Sequence, residues 1–63
     1  MAIGEKIKML RLNRGYTQIE LGKLAHCSGA MIAQIERGTK AVTVGLGKEI
    51  ADALNVALEE LYK

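Results

Sequence analysis

The chain has 63 residues, a formal net charge of +2 at pH 7, no Phe, Trp or Pro, and apolar residues that are mostly Leu, Ile and Ala. This composition favours an all-α fold, and the length fits one small domain with too little volume for a substrate cleft. The sequence also lacks carboxylates paired in the pattern of a shared pocket, a nucleophile motif and a phosphate-binding glycine loop, so we expect no enzyme, cofactor, metal or small-molecule substrate.

Features of membrane and secreted proteins are missing as well. No apolar run approaches the about 20 residues that span a bilayer. The N-terminal segment lacks the apolar core of a signal peptide, and the single cysteine cannot form an internal disulfide. We therefore expect a soluble, cytoplasmic protein with no membrane partner.

Charge is distributed unevenly along the chain. Residues 1–40 contain seven basic and three acidic side chains, whereas residues 41–63 contain two basic and four acidic ones. This asymmetry favours a polyanionic partner for the first part and a different task for the second. Scattered, solvated charge is the alternative interpretation.

The first helix is predicted over residues 3–13, because Ile7 and Leu10 continue the helical spacing that begins at Ile3. Gly15 then suits helix termination. Arg11 lies among these apolar residues, which is a costly place for a guanidinium unless a carboxylate pairs with it.

Two short helices are predicted within residues 17–38. Thr17 and Glu20 have the spacing of a capping box, so one helix should start at Thr17 and end near Ala25. Ser28 is a suitable N-cap for the next helix, and Gly38 is a suitable left-handed stop. The apolar residues on the inner faces are Leu21, Leu24 and Ala25 in one helix and Ile32 and Ile35 in the other.

His26 and Cys27 occupy the turn between these helices. The only neighbour of His26 at a possible ligand spacing is the adjacent Cys27, which has poor geometry for chelation. We therefore expect no metal or catalytic role for this pair. Cys27 is expected to be buried and inert, with redox sensing as the alternative.

The C-terminal third is predicted to form two more helices. Thr43 can cap a helix from Val44 to Ala53, Asn55 can end it in the left-handed conformation, and residues 56–62 suit a short fifth helix. Both should close the core. Four apolar residues would stay partly exposed and could form a dimer interface, unless the terminus simply frays: Val42, Val56, Ala57 and Tyr62.

Residues 17–38 resemble the helix-turn-helix of the Cro and phage-repressor family, the lambda-repressor-like or XRE-type domains. The family pattern T-Q-x-E-L-A, turn, S, apolar helix, I-E-x-G is met by Thr17, Gln18, Glu20, Leu21, Ser28, Ile32, Ile35, Glu36 and Gly38. Agreement extends to both flanks, at Ile3, Gly4, Ile7, Arg11, Gly15, Leu46, Ile50, Ala51, Leu54 and Val56. The resemblance implies a five-helix DNA-binding domain over residues 1–63, with the motif at helices 2 and 3.

In this class the second motif helix presents its N-terminal residues to base edges in the major groove. The residues at those positions are Ser28, Gly29, Ala30, Ala33 and Gln34. Only Ser28 and Gln34 can hydrogen-bond a base, so direct readout is expected to be sparse. Ala30 and Ala33 could meet thymine methyl groups.

Phosphate contacts are implied at several polar residues. Gln18 is a phosphate ligand by resemblance, and Arg37, Thr39 and Lys40 lie in a glycine-containing loop that can meet the same backbone. Arg14 is a weaker candidate.

The resemblance also suggests Glu36 as the partner of Arg11, in a bidentate ion pair that ties the first helix to the third and has no DNA contact. His26 stands where the family commonly has glycine, so the resemblance implies a positive φ at this position. Gly22 stands where the family usually has alanine, at the closest approach of the motif helices. These departures should cost some backbone strain and about 1 kcal/mol of helix stability, respectively.

The function that the resemblance implies is that of a transcriptional regulator that binds double-stranded DNA. We expect a repressor that binds a palindromic operator as a homodimer, although activation depends on where the operator lies. The alternative is a protein-interaction module, such as an antitoxin-like or anti-repressor partner, that kept the fold and lost its readout.

Overall fold

Residues 1–63 are all described by the structure, a computed structural model, and they form helices and no strands. The elements are α1 (Ile3–Asn13), α2 (Gln18–Leu24), α3 (Gly29–Arg37), α4 (Val44–Leu54) and a C-terminal 3₁₀ helix (Leu58–Tyr62). The all-α prediction is therefore confirmed. None of these helices is both long and apolar enough to cross a membrane.

The predicted fifth helix is present, but it is a 3₁₀ helix and begins at Leu58 rather than at Val56. Asn55 ends α4 with φ 58°, and the N–H of Val56 then donates to the carbonyl of Ala51, so the chain turns before a new helix begins. Ala57, at the N-cap of the last element, offers no capping side chain. With five residues and no cap, the segment forms a 3₁₀ helix rather than α-helical turns.

The helix starts follow the predicted capping residues. Thr17 Oγ1 accepts the Glu20 N–H at 3.0 Å, while Glu20 Oε1 accepts the Thr17 N–H at 2.8 Å, which completes the capping box. Ser28 and Thr43 likewise accept the N–H three residues further on, at 3.0 and 3.2 Å. The stops are also as predicted, since Gly38 ends α3 in the left-handed region at φ 81°.

A core of nine side chains lies where the helices meet. α1 and α2 both pack against α3, α2 also contacts α4, and the 3₁₀ helix covers α1 and α4. The core consists of Ile7, Leu21, Ala25, Ile32, Ile35, Ile50, Ala51, Leu54 and Leu61, each at most 1% exposed. Cys27 was predicted to be buried but is only half-buried, because it lies in the turn at the edge of this core. Burial still raises the pKa of its thiol, with a backbone hydrogen bond at Ser28 opposing this rise, so the thiol stays protonated at neutral pH.

His26 has an acidic partner that the sequence interpretation missed. Its φ is 61°, as predicted for this turn. Its Nδ1 lies 2.6 Å from Glu49 Oε2 on α4, and both side chains are exposed. The contact joins the turn of the motif to α4 across 23 residues of sequence, a separation that local spacing does not reveal.

Replacement of His26 by glycine is expected to raise the free energy of unfolding by about 0.5–1 kcal/mol, because glycine adopts a positive φ without strain. The exposed contact with Glu49 that is lost contributes little. His26→Ala is the control, since it loses the same contact but keeps the strained φ, and it should lower stability slightly. Urea denaturation of both variants measures the difference, and a glycine variant less stable than the alanine variant would contradict this account.

Candidate nucleic-acid interface

A close backbone approach sets the angle between α2 and α3. A Cβ atom at Gly22 would lie 2.6 Å from the carbonyl carbon of Ser28, so only glycine permits this contact. The carbonyl of Gly22 also accepts the Cys27 N–H at 2.7 Å. The N-terminus of α3 is thus held against α2 by backbone contacts, which position it independently of flexible side chains.

The outer face of α3 carries small and polar residues. Ile32 and Ile35 point into the core, whereas Ser28, Ala30 and Gln34 are exposed. Gly29 and Ala33 are half-buried. The side chain of Gln34 makes no hydrogen bond within the chain, and the Ser28 hydroxyl, which accepts the Met31 N–H, keeps its own hydrogen for another partner. The five predicted base-contacting residues therefore share one side of the molecule, with two of them partly covered.

A buried polar network joins α1, α2 and α3 next to this face. Arg11 Nε donates to Glu36 Oε2 at 2.7 Å, and Arg11 Nη2 donates to Glu36 Oε1 at 3.1 Å. Arg11 Nη1 also donates to the Tyr16 carbonyl at 2.8 Å, and Gln18 Nε2 donates to Glu36 Oε1 at 3.0 Å. The Arg11 and Glu36 side chains are only 8% and 4% exposed. Arg11 and Glu36 thus form a buried bidentate ion pair that joins α1 to α3.

Glu36 stays charged in this network. Burial alone would raise the pKa of its carboxyl group, but hydrogen bonds from Arg11 and Gln18, together with the positive charges of Arg11 and Lys8, lower it overall. The negative charge at the end of α3 is thereby neutralised by Arg11, so it does not oppose an anionic partner.

Three cations near the helix ends are free of ion pairs. Arg14 caps α1, Arg37 is the last residue of α3, and Lys40 follows in the loop, and all three are exposed. The four ion pairs of the chain involve none of them. These side chains can therefore meet phosphates without breaking an existing contact.

Thr39 and Gln18 are placed differently from the cations. Both donors of Thr39, its N–H and its hydroxyl, bond to the carbonyl of Gln34, at 3.0 and 3.1 Å. Thr39 thus holds the loop against α3, and both donors that its predicted phosphate contact would use are bonded within the chain. Gln18 is half-buried, and one hydrogen of its amide nitrogen is committed to Glu36 while the second remains.

The residues predicted for a dimer interface lie on the C-terminal side. A Cβ atom at Gly47 of α4 would lie 3.3 Å from Leu58 Cδ1, 3.4 Å from Val42 Cγ1 and 3.9 Å from the Tyr62 hydroxyl, so these side chains all lie close to Gly47. Val56 is half-buried and Ala57 is exposed. Sequence analysis did not single out Val44, which is 73% exposed and precedes Gly47 on α4.

Comparison with known proteins places the chain among regulators. A family model described as helix-turn-helix matches residues 7–61. An uncharacterized HTH-type transcriptional regulator, YazB of Bacillus subtilis, is 33% identical over 58 residues, which cover 92% of this chain and 84% of that protein. The competence pilus inhibition repressor of Acinetobacter baylyi is 27% identical over 62 residues, and the match spans 98% of this chain but 56% of the relative.

Solved structures share the whole fold. The restriction-modification controller protein C.AhdI of Aeromonas hydrophila superposes with a TM-score of 0.91 and 27% identity, over 94% of this chain and 89% of that one. The P22 c2 repressor, in complex with a synthetic operator, superposes with a TM-score of 0.91 and 26% identity, over 97% and 92%.

Proposed function

Because the chain belongs to the helix-turn-helix family of DNA-binding transcriptional regulators and is not an enzyme, we propose that it is a cytoplasmic repressor that binds a palindromic operator as a homodimer. The observation that carries the proposal is the outer face of α3, which is exposed at Ser28, Ala30 and Gln34 and is followed by the unpaired cations Arg37 and Lys40 at the C-terminal end of the helix. Residues 1–63 would act as a single DNA-binding domain. The similarity to a repressor solved with its operator supports the same role.

Base readout would come from the N-terminal half of α3 in the major groove. Gln34 is unbonded and can pair with adenine, and the Ser28 hydroxyl can donate to a base acceptor. Ala30 and Ala33 can contact thymine methyl groups, whereas Ile19 occupies the side of Gly29 where a Cβ atom would lie. Affinity would then rest mainly on phosphate contacts by Arg14, Arg37, Lys40 and the second amide hydrogen of Gln18.

Dimerisation would place two copies of α3 in successive major grooves, about 34 Å apart. The interface would include Val42, which precedes α4 in the chain, and Val56, Ala57 and Tyr62, which follow it. A second half-site doubles the few base contacts that one α3 can make. Self-association would also bury apolar side chains such as Tyr62, which is 58% exposed in the single chain.

Selection of bound sequences from a random duplex pool at low salt tests the proposal. Enrichment of an inverted repeat with half-sites one helical turn apart is the expected result. A specific observation favours a second function, a protein-interaction module, since only Ser28 and Gln34 among the five predicted base-contacting residues have a side chain that can hydrogen-bond a base. A protein that is dimeric in sedimentation but retains no duplex from the pool would support that second function and overturn the first.

Gln34→Ala and Lys40→Ala should have different effects on the selected operator. Loss of Gln34 is expected to relax sequence preference by about 1–3 kcal/mol at one position of each half-site. Loss of Lys40 is expected to weaken binding to all sequences and to reduce the salt slope by about 0.9 for each half-site. Binding titrations from low to moderate salt measure both effects.

Lys48→Ala is the matched control, because Lys48 is an exposed, unpaired lysine on α4. It should leave both affinity and salt slope nearly unchanged. Equal effects of the two lysine variants would mean that net charge, and not the position of Lys40, governs binding.

A further inference from the structure

Ile19 is an exposed isoleucine beside the N-terminus of α3. It is the second residue of α2, and its side chain is 62% exposed although isoleucine is strongly apolar. A Cβ atom at Gly29 would lie 2.8 Å from Ile19 Cγ1 and 3.1 Å from Ile19 Cα. Ile19 therefore lies directly against the first residue of α3, and the absence of a side chain at Gly29 makes room for it.

The same side of α2 carries a free cation. Lys23 lies one turn after Ile19, so both project from one side of the helix, and Lys23 is exposed and forms none of the ion pairs of the chain. Leu24, which is 48% exposed, projects about 140° away around the helix. An apolar side chain thus lies against the N-terminus of α3, with a cation one turn further along α2, while the other exposed apolar residue of α2 projects in a different direction.

We infer that Ile19 is a specificity-determining residue that contacts the methyl group of a thymine at the edge of the major groove. The inference rests on the proposed function, which brings the N-terminus of α3 into that groove. An isoleucine side chain offers no hydrogen bond, and the thymine methyl is the apolar group that bases present in the major groove. Contact between them removes both from water, and Lys23 can hold the adjacent phosphate.

The position of Ile19 also changes the part that Gly29 plays. Gly29 is half-buried beneath Ile19, so a base that approaches the start of α3 meets the isoleucine side chain. In this arrangement, α2 contributes to base readout as well as to backbone contacts. Ile19 then adds an apolar contact with a thymine methyl group to the few hydrogen bonds that α3 can make with bases.

Replacement of single thymines by deoxyuridine in the selected operator removes only the methyl group and so tests the contact. Wild-type protein is expected to bind about fourfold more weakly per half-site when one particular thymine is replaced, the effect of one buried methyl group. Ile19→Ala should bind the thymine operator with a comparable loss and should show no further loss on the deoxyuridine operator. Leu24→Ala is the matched control and should keep the full discrimination.

Thermal unfolding of each variant separates folding from recognition, and both exposed substitutions are expected to leave the midpoint nearly unchanged. A wild-type protein that binds its operator, together with an Ile19→Ala variant that keeps the preference for thymine at every position, would overturn the inference and leave the proposed function intact. If wild-type protein enriches no duplex at all, both are rejected.

Discussion

Arg11→Met is expected to remove about 3–5 kcal/mol of stability, because the carboxylate of Glu36 would stay buried without its counter-charge. Glu36 is 4% exposed and would keep a single side-chain donor, from Gln18, while the Tyr16 carbonyl would lose its donor as well. A domain of 63 residues has a total stability of only about 3–9 kcal/mol. The variant should therefore be largely unfolded or have a Tm lower by more than about 10 °C.

Arg14→Met provides the matched control for this variant. Arg14 lies three residues further along the chain, is exposed and forms no ion pair, so its replacement should change stability by less than about 0.5 kcal/mol. Chemical denaturation monitored by circular dichroism measures both variants. If the two variants lose similar stability, the buried pair is not what holds α1 to α3.

The double variant Arg11→Met, Glu36→Leu sharpens the test. It removes both charges at once, so no unpaired carboxylate is left in the interior, and it should be more stable than Arg11→Met alone. The gain identifies the isolated charge, rather than lost packing, as the cause of instability in the single variant. A double variant as unstable as the sum of the two single replacements would show that the side chains do not interact.

The pH dependence of stability has opposite signs with and without Arg11. In the wild type, hydrogen bonds and positive charge outweigh burial and lower the pKa of Glu36, so its contribution is present above the unfolded-state pKa and is lost as pH falls through the folded-state value. In Arg11→Met, burial dominates and should raise that pKa. Acidification should then destabilise the wild type at this site and relatively stabilise the variant.

Local hydrogen bonds explain which parts of the fold were predictable. The caps at Thr17, Ser28 and Thr43 each join residues three apart, and the left-handed stops at Gly38 and Asn55 depend on a single residue type. Such features depend on residues that are close together in the sequence, so they can be predicted from a short segment. The spacing of apolar residues likewise placed α1 at its observed bounds.

Features that depend on tertiary contacts were not predictable in the same way. The contact between His26 and Glu49 joins residues 23 apart, and that between Gln18 and Glu36 joins residues 18 apart. The burial of Arg11 among apolar neighbours signalled the need for a carboxylate, but its identity came from a family resemblance. Ile19 had no signal at all, because only the folded structure brings α2 against the first residue of α3.

Gly4 of α1 lies against the backbone of α3, the helix that carries the candidate interface. Replacement of Gly4 by alanine is therefore expected to lower the stability of the fold strongly. A Cβ atom at Gly4 would collide with the Ile35 carbonyl oxygen and lie 3.1 Å from that of Glu36. Because these are backbone atoms, they cannot move aside as a flexible side chain would. The variant is expected to lose about 2–3 kcal/mol of stability, despite the better helix propensity of alanine.

Gly45→Ala is an unusually close control, since Gly4 and Gly45 are both the second residue of an 11-residue helix. A Cβ atom at Gly45 would meet nothing within 4 Å. The free energy of unfolding of Gly45→Ala should be about 0.5–1 kcal/mol higher than that of the wild type, so the two substitutions are expected to change it in opposite directions. Denaturant titration of both decides this, and a stabilised Gly4→Ala would mean that α1 can move away from α3 at little cost.

The contact at Gly4 also connects stability to DNA binding. The Ile35 carbonyl that a new Cβ would displace accepts the Gly38 N–H at 3.0 Å, which closes the end of α3 ahead of the loop with Lys40. Displacement of this carbonyl should disturb that turn and shift the cations beyond it. Gly4→Ala is therefore expected to bind the selected operator more weakly and with a smaller salt slope even below its unfolding temperature, whereas Gly45→Ala should bind as the wild type does.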